Sequence, residues 1–195
     1  MKHDYSLWKD HDMTSATTVK APIPAGTWTI DAVHSAVNFS VKHLMVSKVR
    51  GSFDNFSGTI TVDENGTPSV QAEIDVTSIN TRNEQRDGHI KSADFFDAEK
   101  FPTATFVSTG VRQNGDDYLL DGDFTLKGVT KPVTLELEFE GTNPGMGQGT
   151  VAGFEAKVVL SRKEFGIDIE MPLEGGGVVV GDKITINLEI EALQA

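Results

Sequence analysis

The sequence predicts an all-β domain with one or two short helices, and three observations carry that prediction. From Trp28 onward, apolar residues recur at every second position, the period of a strand with one buried face. Turn signals separate these runs, including the dipeptides Asn65-Gly66 and Asn114-Gly115, because both central residues of a type I′ turn need positive φ. A single stretch, residues 83 to 96, abandons the alternation.

In chain order, AVNFSVK (36–42) places Val37, Phe39 and Val41 on one side, with Asn38, Ser40 and Lys42 on the other. Strands are predicted next at 48–63 and 68–79, separated by DENGTP. NEQRDGHIKSADFF then favours a helix, with Asn83 or Asn80 as N-cap, Glu84 in the first turn and Asp87 four residues before Lys91. Pro102 delays the next strand, and strands follow at 103–113 and 117–127 around QNGDD. VTLELEFE aligns Val133, Leu135, Leu137 and Phe139, a strand at 150–162 follows TNPGMGQG, and ITINLEI aligns Ile184, Ile186, Leu188 and Ile190. About eight antiparallel strands, each with one apolar face, can form a sandwich or a closed barrel. Alternation does not choose between them; strands of ten residues or more lean toward a barrel, in which long tilted strands wrap a central space.

The 195 residues suit one domain with a sizeable core. With 17 basic against 29 acidic residues the net charge is −12, which disfavours a nucleic-acid partner and would repel an anionic membrane surface. Cysteine is absent, which removes disulfides, thiol catalysis and thiolate metal sites. Residues 1–25 are polar, carry lysines and aspartates that cancel, and end at Pro22 and Pro24; they are expected to form a flexible arm before a domain at 26–195. No apolar run in that arm has the length of a signal peptide, so the expected location is cytoplasmic.

Few residues carry a pattern for chemistry. On a helix, successive residues rotate by about 100°, so Asp87 and His89 point to opposite sides. His34 and His43, nine apart on a strand, cannot form a local metal pair, and no HxH or HExxH spacing occurs. Ser35 lacks a GxSxG elbow, and GGVVVGDK has Asp182 where a phosphate loop needs its lysine. No catalytic residue, metal or cofactor is therefore expected. The apolar inventory is more informative: eleven phenylalanines against two tyrosines suit either a dry core or a cavity for an apolar ligand.

Four phrases occur in order: WTIDAVHSAVNFSVKHLMVSKVRGSFDNFSGTI, RDGHIKSADFFDAEKFPTATFVST, GDFTLKGVTKPVTLELEF and SRKEFGI. Together they resemble the YceI-like, polyisoprenoid-binding family over residues 26 to 195. The resemblance implies an eight-stranded antiparallel, lipocalin-like barrel whose long apolar channel holds an isoprenoid chain, such as a quinone or a polyprenyl pyrophosphate. It implies no catalytic residues. Many relatives begin with a secretion signal, which the polar arm here does not resemble.

The expected function is therefore non-enzymatic carriage, transport or storage of a long-chain isoprenoid lipid, with a homodimer left open. The chain would be solvated by Val37, Phe39, Val41, Ile74, Phe106, Phe124, Leu135, Leu137 and Phe139. Phe95 and Phe96 would turn inward to close the apolar space, while the neighbouring acids anchor the turn. Arg82, Arg86 or His89 would meet the head group. Two alternatives are an enzyme using Asp87, His89 or His34 for acid/base chemistry, which requires these groups to converge, and a ligand-free protein with a filled core.

Overall fold

A computed structural model describes residues 19–147, 149–172 and 176–195. Its strands are β1 (Gly26–Ile30), β2 (Ala36–His43), β3 (Ser47–Phe53), β4 (Phe56–Val62), β5 (Pro68–Asp75), β6 (Ile79–Asn80), β7 (Thr103–Asn114), β8 (Asp117–Leu126), β9 (Val129–Asn143), β10 (Val151–Ser161) and β11 (Val180–Gln194). One helix, α1 (Glu84–Lys91), joins β6 to β7. All pairings are antiparallel, and β1 closes the ring by pairing with both β4 and β11. The eleven segments amount to eight long strands, because β1–β2, β3–β4 and β5–β6 are each one strand interrupted once. β11 demonstrates this, pairing its end with β1 at Ile30↔Ala192 and its first half with β2 at Val37↔Leu188 and Val41↔Ile184.

The interruptions correct the expected strands 48–63 and 68–79, each of which is divided. They also shift the inward face: Ile30 precedes Val37, Phe53 precedes Phe56, and Ile74 precedes Ile79, an even-to-odd or odd-to-even change each time. Strict alternation across the break would turn one half of each strand inside out. Asp54 and Asn55 absorb the change in the second strand, and a 3₁₀ turn at Val76–Ser78, capped by Asp75, absorbs it in the third. β9 and β11 are longer than expected, and Pro132 lies within β9. The β9–β10 ladder begins at Asn143↔Val151 and runs to Glu136↔Lys157, so Pro132 lies on a stretch without that neighbour.

The short helix forms where the alternation stops. Asn83 caps it by accepting from the Arg86 N–H at 2.9 Å, as the sequence predicts. Asp87 does not pair with Lys91; its Oδ1 instead accepts from the Thr81 N–H at 2.9 Å and from the Thr81 hydroxyl, tying the helix to the end of β6.

One end of the barrel is packed shut. Trp28, wholly buried, gathers Ile23, Ile60, Val62, Ala152, Phe154 and Ala192 around it, and its Nε1 donates to the Pro24 carbonyl at 3.2 Å. Residues from Ile23 are therefore packed with the domain, while residues 1–18 of the expected arm lie outside the described residues. A second cluster, including Phe106, Phe124, Leu135 and Phe165, packs along the β7–β10 side. Among the described residues no helix is long and apolar enough to cross a membrane.

Candidate functional site: an apolar channel with a basic mouth

The inward residues do not fill the barrel. Phe39, Val41, Ile74, Leu137, Ile184 and Ile186 face inward yet remain only half-buried, because each leaves part of its side chain against open space. That space is a cavity of about 500 Å³, within the ordinary range for small-molecule sites. On β8 alone its lining runs from Tyr118 to Leu126, about 27 Å along a strand and about 20 Å along the axis of a tilted barrel. A slot this long and apolar suits an extended hydrocarbon chain.

Two glycines keep the slot open. Phe39 is paired across the β2–β3 ladder with Gly51, and a Cβ on Gly51 would lie 2.5 Å from the Phe39 ring. The ring therefore lies back over the glycine, against the wall. Phe106 lies over Gly122 in the same way. An aromatic stacked on a glycine gives an apolar wall without projecting fully into the lumen.

Of the sequence-predicted channel residues, Val37, Phe39, Val41, Ile74, Phe106, Phe124, Leu135 and Leu137 line the cavity. Phe139 does not: its ring stacks on Phe154, 5.4 Å between centroids, within the packing at the shut end. The alternation reported its face correctly but not its height in the barrel. Phe95 and Phe96 both line the cavity, near the end of α1. Phe95 meets His89 edge-on at 5.1 Å, and Phe96 stands 6.2 Å from Phe53. The acids around them anchor the segment, Asp97 accepting from Lys100 Nζ at 3.0 Å and Asp94 lying 3.3 Å from His89 Nε2.

Of the three head-group candidates, Arg86 and His89 reach the cavity, whereas Arg82 is exposed and does not line it. Arg82 sits at φ 62°, in the turn before α1, and its backbone N–H is held by Asn80 Oδ1 at 2.9 Å. That turn directs the side chain away from the mouth. Arg86 is steadied by donating from Nε to the Thr81 hydroxyl and from Nη2 to the Thr81 carbonyl, both at 2.8 Å.

A third basic residue at this end lies in the phrase SRKEFGI. Arg162 is 5% exposed and lines the cavity. Its guanidinium donates to the carbonyls of Ile167 at 2.6 Å, Gly181 at 3.1 Å and Val180 at 3.4 Å. No carboxylate lies within ion-pairing distance of it among the described residues. The guanidinium is thus held directly by neutral dipoles, with Asp182 and Glu170 near enough for their carboxyls to feel its charge. Its sequence signal was an arginine at the end of an otherwise inward-alternating strand, 156-158-160-162.

Lys42 and His43 complete the mouth, and Lys20 lines the cavity near the shut end. Every ionisable lining residue except Tyr118 is thus a lysine, arginine or histidine, and none is Asp or Glu, in a chain where acids outnumber bases.

The groups required for acid/base chemistry do not converge. Asp87 is engaged with Thr81, His89 stands at the mouth, and His34 lies at the β1–β2 break outside the cavity lining. There Asp31, His34 and Glu191 come within 4.8 Å of one another, and His34 Nδ1 meets Asp31 Oδ2 at 2.8 Å. This bond holds His34 above the ordinary histidine range and Asp31 below the ordinary carboxylate range. It pins the break in the strand.

Comparison with known proteins agrees with this architecture. A family model described as the YceI-like domain matches residues 28–192. The chain is 44% identical over 140 residues to Protein YceI of Escherichia coli O17:K52:H18 (strain UMN026 / ExPEC), covering 71% of this chain and 73% of that protein. Burkholderia cenocepacia BcnA superposes with a TM-score of 0.71 at 24% identity, over 83% of this chain and 98% of its own. A polyisoprenoid binding domain from Saccharophagus degradans superposes with a TM-score of 0.64 at 16% identity, over 86% of this chain and 98% of its own.

Proposed function

This chain belongs to the YceI-like family, and from that premise we propose that it is a non-enzymatic carrier or store for a long-chain isoprenoid lipid. The observation that carries the reading is the unfilled apolar channel with a basic mouth. Each CH₂ transferred from water into such a channel contributes about 0.8 kcal/mol, so a chain of several isoprene units is retained by desolvation alone. The channel does not select strongly among apolar chains of similar width.

The mouth supplies the second part of the reading. Arg86, His89, His43 and Arg162 present N–H donors at the end where a head group would emerge, and no lining carboxylate opposes an anion there. Charge-assisted bonds from arginine suit a pyrophosphate, and a quinone carbonyl would accept from the same donors. The neighbour from Saccharophagus degradans described as polyisoprenoid-binding supports the ligand class.

The test is native mass spectrometry of the purified protein, followed by organic extraction and lipid analysis. Stoichiometric isoprenoid, or stoichiometric uptake of added isoprenoid quinone or polyprenyl pyrophosphate, is the expected result. A protein that is empty and takes up neither refutes the reading. An Arg162→Gln variant that loses pyrophosphate binding but retains quinone would assign the head-group preference to the buried guanidinium.

A further inference from the structure

The turn between β2 and β3 has an unusual composition for its geometry. Val46 N–H bonds the His43 carbonyl at 3.2 Å across the turn, and the two central residues, Leu44 and Met45, have φ of 49° and 62°. Positive φ at both positions is where Asn-Gly belongs, and bulky side chains are rarely found there. These same residues are exposed: Leu44 to 41%, Met45 to 51% and the following Val46 to 86%. Backbone strain and three adjacent exposed apolar side chains occur together at one hairpin tip. Met45 lies against Gly177, yet half of its surface and most of Val46 remain exposed.

The tip belongs to the channel mouth. His43, which begins the turn, lines the cavity, and the Leu44 N–H bonds the carbonyl of Val179, another lining residue, at 2.9 Å. Below the tip, Lys42 and Lys48 face each other directly across the ladder, with Arg50 two residues further along the same face. Like charges directly opposed are destabilising. None of the three cations is in an ion pair among the described residues. From Ala32 to Phe53 there is no Asp or Glu, although the chain as a whole carries −12. Of the acids elsewhere at this end, Glu170 pairs with Lys163, Asp94 with His89 and Asp182 accepts from Ser161, whereas Glu84, Glu164 and Asp168 are exposed.

We propose that the β2–β3 hairpin is a membrane-docking element: Leu44, Met45 and Val46 enter the interfacial region of a bilayer bearing anionic lipid, while Lys42, Lys48 and Arg50 meet its phosphates. Apolar side chains at a tip and cations behind them are the arrangement by which a peripheral protein holds such a surface. Docking this way directs the mouth at the lipid, so that an apolar ligand passes between bilayer and channel without crossing water. That consequence rests on the ligand reading above; the docking itself does not.

The experiment is flotation of the full chain with vesicles of phosphatidylcholine alone and of phosphatidylcholine mixed equally with phosphatidylglycerol, at low and high salt. The wild type is expected to float with the mixed vesicles and to be released by salt. Leu44→Asn combined with Met45→Gly installs the residues preferred by the turn and so retains the fold, shown by a melting temperature at or above that of the wild type. This variant is expected to float at least tenfold less, and Lys42→Glu combined with Lys48→Glu is expected to lose the preference for phosphatidylglycerol. A wild type that floats with neither vesicle, or an Asn-Gly variant that floats as well as the wild type, overturns the proposal. So does docking only to a protein. Retention of an isoprenoid quinone supplied from detergent is measured in parallel: a chain that floats but holds no quinone sinks the carrier reading and leaves the docking intact, and the reverse result does the opposite.

Discussion

Substituting Gly51 by Ala tests whether the channel is kept open by rings lying on glycines. The new Cβ would stand 2.5 Å from Phe39 Cζ, 2.8 Å from its Cε1 and 2.9 Å from the Asn80 carbonyl oxygen. The ring must swing away from the wall, and the only space that accepts it is the lumen. Overpacking of this kind costs about 1–3 kcal/mol. At about 2–4 °C per kcal/mol for a chain of this size, a cost near the middle of that range lowers Tm by about 4–8 °C. The assay pairs a thermal melt with uptake of an isoprenoid quinone, measured by extraction. Gly51→Ala should lose both stability and uptake. Adding Phe39→Leu removes the ring and should restore uptake, while recovering only part of Tm because the contact with the Asn80 carbonyl remains. Unchanged uptake in the single variant, or no recovery in the double variant, would refute the role assigned to the ring.

Two further outcomes are expected. Phe165, 1% exposed and edge-on to Phe124 at 5.5 Å, belongs to the packed side of the barrel. Phe165→Ala should therefore cost about 3–5 kcal/mol in chemical denaturation, against less than about 1.5 kcal/mol for Phe39→Leu, whose ring already borders open space; equal costs would mean that the lumen is filled. The Asp31–His34 bond raises the histidine and lowers the aspartate. Its contribution is present below the unfolded histidine value while Asp31 is ionised, is lost as pH rises through the raised value, and is lost at acid pH as Asp31 protonates. The Tm difference between wild type and His34→Gln should thus be widest between the ordinary aspartate and histidine ranges and narrow at alkaline pH; a difference that grows with pH contradicts the ion pair.

Much of this molecule was legible in its sequence because the relevant signals are local. The helix start was readable from Asn83 and the positions of two hairpins from Asn-Gly, since capping and turn formation involve residues only a few positions apart; the turn type was not, because only Gly66 and Gly115, and neither Asn65 nor Asn114, take the positive φ that a type I′ turn needs at both places. The inward faces of β2, β8 and β9 followed from alternation, which the pleat imposes residue by residue. The strand breaks were written there too, in the change of parity from Phe53 to Phe56 across Asp54-Asn55, but a hydrophobic run that long reads as continuous unless that change is counted.

The sequence by itself determined an all-β chain of eight long strands, its helix and which side chains face inward. Only the tertiary structure decided that the ring closes through β1 and β11, that its interior remains unfilled, and that Phe139 packs at the shut end. It also brought Lys42 and His43, Arg86 and His89, and Arg162 to one mouth from three distant segments. Alternation records the face a side chain takes. Height in the barrel, and whether opposing walls meet, depend on the stagger and tilt of strands far apart in sequence, which no local pattern encodes.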